Sequence, residues 1–146
     1  MDLDGNPLDS ITWTDFSMLY EMKATRKGRP VEFTQGNVGT TMFIQYGLMD
    51  GRWMGFLAGL GMPRPGKCEM FFVAMVLDRE GDKAANKEFV DRVLAFERQF
   101  IVEDLSILTT IRFRPGTPSG SDGVLLRYLS FLRNYPRAHP AADYLR

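Results

Sequence analysis

The sequence predicts an α+β fold: a curved antiparallel sheet packed on one long C-terminal helix, with a short last helix after it. Three observations carry this. Apolar residues recur every second position through the first part of the chain, as in strands. The period changes to that of a helix just after Asp82. No strand signal returns afterwards, so strands and helices are segregated rather than alternating.

The first strand is read from Phe16, Met18, Tyr20 and Met22, which alternate with Ser17, Leu19, Glu21 and Lys23. Lys27-Gly28-Arg29-Pro30 forms a turn, and Val31 and Phe33 suggest a short second strand. Met42, Ile44, Tyr46 and Leu48 share one face of a third. Asp50-Gly51 between apolar runs is a hairpin signal. A fourth strand follows from about Arg52 to Leu60, with Gly55 and Gly59 on one face, where a missing side chain opens a cavity or admits a close neighbour. Gly61 to Gly66, with Pro63 and Pro65, reads as a loop. A fifth strand, Glu69 to Leu77, is apolar on both faces and is expected to be central and covered on both sides.

Asp82 is the expected N-cap of the long helix, which has no Gly or Pro from Lys83 to Ile111. Unbroken, it is about 40 Å long at 1.5 Å per residue. Arg114 to Ser121 is rich in breakers. Asp122 or Ser121 caps a last helix with Val124, Leu125, Tyr128, Leu129 and Leu132 on its apolar side, and Pro136 ends it. The expected organisation is a single domain over 1–146: a β-rich part over 11–78, the long helix at about 83–111, a loop and last helix over 112–135, and a tail over 136–146. A curved sheet gripping a long helix encloses a cavity between them, suited to a hydrophobic small molecule.

Composition narrows the chemistry. The 146 residues carry 18 basic and 18 acidic side chains, so no global field recruits nucleic acid or an anionic membrane. Six arginines and two acids fall between Arg112 and Arg146, interleaved with Phe113, Tyr128, Phe131 and Tyr135. That pattern fits a nucleic-acid surface or, more plainly, a solvated helix face, and no nucleic-acid partner is expected. No apolar run reaches the roughly 18 residues of a membrane span, and no signal peptide is visible at Met1 to Pro7. A cytoplasmic protein is expected.

One cysteine, Cys68, excludes an intrachain disulfide and any cluster needing several thiolates; one histidine, His139, excludes a site needing two imidazoles from this chain. Cys68 reads as a small core residue rather than a nucleophile, and His139 as a solvated side chain of the tail. The nine methionines suit either core gap-filling or an adaptable apolar cavity.

Asp104 is the residue out of place. At 100° per residue it lies within about 40° of Val93, Phe100 and Leu108, on the apolar stripe, and Glu97 shares that stripe. A carboxylate on such a face is costly unless paired or metal-bound. It is therefore a metal ligand, an acid–base group, one half of a salt bridge, or a side chain turned to solvent by a kink. The expected ligand-pocket residues are Tyr46, Trp53, Phe56, Phe71, Met75, Glu97 and Phe100; the aromatic and methionine members are equally readable as plain core. Trp13 belongs to the same apolar inventory. Gly59-Leu60-Gly61 has no following helix and is a turn rather than a phosphate loop.

Phe100-Ile101-Val102-Glu103-Asp104-Leu105-Ser106-Ile107-Leu108 resembles the C-terminal signature of Rieske non-haem iron oxygenases, in which an aspartate of an acid pair completes an iron triad. Arg114-Pro115-Gly116-Thr117-Pro118, Asp122-Gly123 and Arg127-Tyr128 follow in the order of the ketosteroid-hydroxylase-like branch. The resemblance is specific over about 96–133. Over 10–80 it is architectural, to the helix-grip, START-like catalytic domain. Three departures are plain: no Rieske Cys-His pairs are present, no pair of iron-binding histidines is present, and Thr109-Thr110 stands where the family's motif carries a glutamine or glutamate.

The resemblance implies that Asp104 is an iron ligand and that the chain is the C-terminal part of a Rieske-type catalytic domain, acting on an aromatic or steroid-like substrate. Fe(II) would then be shared with a partner chain bearing the cluster and both histidines, and this chain alone would show no oxygenase turnover. Two other readings stand beside it: a stand-alone helix-grip module that binds a sterol or aromatic without redox chemistry, and a structural or oligomerising module with a filled core. A grip lacking the N-terminal elements of the parent fold exposes apolar surface, so homo-oligomerisation is expected.

Overall fold

A computed structural model describes residues 2–26, 28–78, 81–110, 119 and 122–135. Among them the fold is α+β, with strands first and two helices after. The strands are β1 (Asp2–Leu3), β2 (Thr12–Trp13), β3 (Ser17–Arg26), β4 (Arg29–Val38), β5 (Met42–Met49), β6 (Arg52–Arg64) and β7 (Lys67–Val76); the helices are α1 (Lys83–Leu108) and α2 (Gly123–Asn134). All pairings are antiparallel, in the order β1-β3-β4-β5-β6-β7, with β2 paired to β3. β1 pairs with Thr25 and Ala24 and β2 with Leu19 and Met18, so the two short strands share one edge of β3.

The hairpins follow turn chemistry. Gly28 and Gly66 take left-handed backbone angles, and Asp50-Gly51 places both its residues there, at φ 53° and 71°. Two further glycines allow the sheet to curl. Gly36 in β4 and Gly47 in β5 have φ of 151° and 157°, and a Cβ on either would come within 2.0 Å of a neighbouring strand's carbonyl oxygen, that of Met18 or Glu32.

Several boundaries differ from the sequence expectation. The second strand, expected to be short, runs for ten residues because Gln35, Gly36 and Asn37 continue the ladder against both neighbours. The expected loop at 61–66 is a continuation of β6 and β7 around Pro65-Gly66, with a register irregularity between Gly61 and Arg64. The long helix ends at Leu108, where the Thr109 hydroxyl donates to the Leu105 carbonyl at 2.7 Å. Asp82 caps its start as expected, accepting from the Ala85 amide at 2.9 Å.

The fifth expected strand, β7, is an edge strand rather than a central one. Phe71 and Val73 of this strand, and Leu77 just after it, are 67, 55 and 63% exposed. Its two apolar faces are real, but α1 covers one of them only. Cys68, expected in the core, is exposed at the start of this strand.

One helix against one sheet face leaves a single core. Met22, Ala24, Val31, Phe33, Met49, Met54, Phe56 and Ala58 supply it from the sheet and Phe89 and Val93 from α1. α2 packs at the other end through aromatic contacts: Trp13 meets Phe131 at 6.0 Å, and Phe16 meets Tyr135 at 6.2 Å. Asn37 Nδ2 donates to the Tyr128 hydroxyl at 2.9 Å, tying α2 to β4, and burial holds that hydroxyl's pKa above its usual value. The expected breaker-rich loop up to Ser121, His139 and the tail fall outside the described residues, apart from Ser119.

Candidate functional site

The inward stripe of α1 changes character along its length. Phe89 and Val93 are fully buried in the core. One turn on, Glu97 is 95% buried, and beyond it Phe100, Ile101, Asp104 and Leu108 face the sheet across a gap rather than a packed layer. That gap is a cavity of about 470 Å³, within the size range of small-molecule sites.

Strand register builds the floor. Tyr20 lies opposite Gln35, Gln35 opposite Gln45, and Gln45 opposite Phe56, so these side chains form one row across β3, β4, β5 and β6. Gln35 Nε2 donates to the Tyr20 hydroxyl at 2.9 Å, and Gln45 Nε2 donates to Glu97 Oε1 at 2.8 Å. Phe43 and Ala58 form part of the adjoining apolar wall. Leu60, Met70 and Leu108, each more than a third exposed, stand at the mouth.

Burial is the dominant influence on Glu97. Removal from water pushes its carboxyl pKa up to about 7, against smaller opposing effects from the Gln45 hydrogen bond and the Arg26 charge. Arg26, on β3, stacks over the rings of Phe100 at 3.9 Å and Phe96 at 4.9 Å and pairs with Glu103 at 3.1 Å. Its Nη1 is buried without a hydrogen-bond partner among the described residues; the aromatic faces are its neighbours.

Of the expected site residues, Phe56, Glu97, Phe100 and Asp104 come together in this cavity. Asp104 is an exposed side chain on the cavity lining, seven residues after Glu97 and therefore about 10.5 Å further along the helix. Tyr46, Trp53, Phe71 and Met75 do not join them. They occupy the alternate positions of β5, β6 and β7 and point from the opposite face of the sheet. There the Trp53 ring lies over Gly55, whose Cβ would meet it at 2.9 Å, so Gly55 admits a close neighbour on the outer face instead of enlarging the cavity. Trp13 packs under α2.

The sequence expectation missed apolar lining residues, Phe43, Ala58 and Ile101 among them, and the polar ones on the sheet, Gln35, Gln45, Tyr20 and Asn37. A signal for the two glutamines exists. Gln35 sits in phase with Val31 and Phe33, and Gln45 in phase with Phe43 and Met49, so each interrupts an apolar row with an amide.

As to metal, no group of three or more His, Cys, Asp or Glu side chains that could hold an ion occurs among the described residues. A facial triad needs two imidazoles beside its carboxylate. The described residues therefore do not fit a complete iron site, and Asp104 could contribute only one carboxylate to a site completed from elsewhere. No helix among these residues is long and apolar enough to cross a membrane.

Comparison with protein-family models, with curated proteins and with solved structures found no match.

Proposed function

We propose that the cavity between α1 and the sheet holds an apolar small molecule, and that the chain is the substrate-holding, carboxylate-donating portion of a helix-grip (START-like) Rieske-type oxygenase catalytic domain in the cytoplasm. The observation that carries this reading is the position of Asp104. The residue that the oxygenase resemblance singles out lines the same cavity as Phe56, Phe100 and Ile101. In this reading the two imidazoles and the iron–sulfur cluster come from a histidine-bearing partner chain, Fe(II) is shared with it, and this chain alone is not an active oxidoreductase.

The test has two arms. The reading frame beside this gene should encode Rieske Cys-His pairs and two iron-binding histidines, and the complex of the two chains should hold iron that Asp104→Ala removes. Because Asp104 is exposed, the same variant should unfold within about 0.5 kcal/mol of the parent, so iron loss is separable from misfolding. A neighbouring frame without those motifs, or iron retained in Asp104→Ala, ends the oxygenase reading.

A second reading, a stand-alone module that binds a hydrophobic ligand without redox chemistry, is favoured by the buried Gln45–Glu97 pair, a fixed polar feature that needs no metal. Binding of the hydrocarbon tetralin by the purified chain, measured by equilibrium dialysis, supports the cavity common to both readings. Ala58→Phe, which fills the cavity from β6, should reduce that binding at least about tenfold.

Homo-oligomerisation is proposed on the outer face of β7, where Phe71, Val73 and Met75 are all more than 40% exposed in one row. Light scattering should give a mass above the 16.6 kDa of one chain, and Val73→Glu should lower it. A monomer across the micromolar range ends this proposal.

A further inference from the structure

Buried polar side chains need hydrogen-bond partners, and the floor of this cavity holds three: Glu97, Gln45 and Gln35, only 5, 6 and 9% exposed. Their hydrogen bonds are partly committed. The Gln45 amide nitrogen is held by Glu97 Oε1 at 2.8 Å and the Gln35 amide nitrogen by Tyr20 at 2.9 Å. The Gln45 amide oxygen and the second Glu97 oxygen have no partner among the described residues. They are also not sealed: the buried unbonded side-chain atom among those residues is Arg26 Nη1. Both oxygens therefore border the cavity that their residues line.

We infer that Glu97 and Gln45 anchor a neutral hydroxyl group of the molecule in the cavity, the remainder of which is apolar. This rests on the reading that the cavity takes an apolar small molecule, and it adds the polar group that such a molecule must carry. An anionic head group meets a carboxyl and an amide oxygen and gains no donor from the pair beyond one carboxyl proton. An ammonium is disfavoured by the positive charge of Arg26, which already acts on Glu97. A ketone oxygen accepts only, which leaves the Gln45 oxygen buried and unpaired.

A hydroxyl donates and accepts at once. It donates to the Gln45 amide oxygen and accepts the carboxyl proton of neutral Glu97, a form that burial keeps populated near pH 7. The apolar remainder then extends along Phe43, Ala58 and Phe100 towards the mouth at Leu60 and Leu108.

Three probes of one skeleton test this: tetralin, 1-tetralol and 1-tetralone, each measured by equilibrium dialysis against the full chain at pH 6. The expected result is that 1-tetralol binds about tenfold tighter than either of the others. In Glu97→Leu the order should reverse in favour of tetralin, because the hydroxyl then leaves water without a partner. Should Glu97→Leu fail to fold, Gln45→Met, which removes the acceptor and leaves the carboxyl in place, should equalise 1-tetralol and 1-tetralone. Wild-type binding that favours tetralin overturns the hydroxyl anchor and leaves the cavity reading standing. A 1-tetralol preference that survives in the variants also overturns it. Failure of all three probes to bind overturns the cavity reading, and the anchor with it.

Discussion

Phe89→Ala should cost about 3–5 kcal/mol, the largest loss expected from any single truncation considered for this chain. Phe89 is completely buried and sits where α1 first meets the sheet, beside Val93 and Met54, which are equally buried. Its ring also carries two cations: the Arg52 guanidinium lies 4.2 Å from its centroid and that of Arg92 5.2 Å. Arg52 is held there by the Asn86 side chain at 2.9 Å, so truncation leaves a void under a pinned arginine that cannot readily collapse. Phe71→Ala is the internal control. That phenylalanine is 67% exposed on the outer face and should change stability by less than about 1 kcal/mol in the monomer. Urea unfolding followed by circular dichroism distinguishes the two; similar costs would mean that the helix covers the other face of the sheet.

Glu97→Gln should stabilise the protein, and only at the higher end of the pH range. The folded pKa of about 7 lies above the ordinary value of 4.5, so the folded state binds the proton more tightly than the unfolded chain does. Below pH 4.5 the group is neutral in both states and costs nothing. As pH rises from 4.5 to 7 the unfolded chain releases its proton while the folded chain keeps it, and stability falls. Above pH 7 the full penalty is present, on the order of 3 kcal/mol for a shift of that size.

Glutamine has the same shape and still accepts from Gln45 Nε2, but carries no charge to desolvate. Thermal unfolding at pH 8 should therefore place the variant well above the parent, by several degrees for a chain of this length, while at pH 4.5 the two should coincide. A gain of equal size at both pH values would show that Glu97 is not a carboxyl whose burial matters.

Much of the architecture was legible because it depends on local periodicity. The change from a two-residue to a helical period at Asp82 reflects a geometric difference between strand and helix that no tertiary contact is needed to reveal. Asp50-Gly51 and Asp82 were legible for the same reason: a left-handed turn and a helix cap are solved within a few residues. The stripe shared by Phe89, Val93, Glu97, Phe100 and Asp104 was legible too, since α1 has a continuous wheel.

Which face of the sheet that stripe meets was not legible. In β6 and β7 both sets of alternate positions are apolar: Trp53 and Leu57 against Met54 and Phe56, and Phe71 and Val73 against Phe72 and Ala74. Hydrophobicity cannot choose between two apolar faces. Tyr46, Trp53, Phe71 and Met75 were accordingly expected in the cavity and stand on the other side.

The sequence by itself determined the order of elements, their period and the carboxylate stripe of the long helix. Only the tertiary structure decided which sheet face α1 covers, and with it that Gln35 and Gln45 fall beneath Glu97. One helix can bury one face alone, and the register of five paired strands, not any single strand's pattern, sets which residues lie under it.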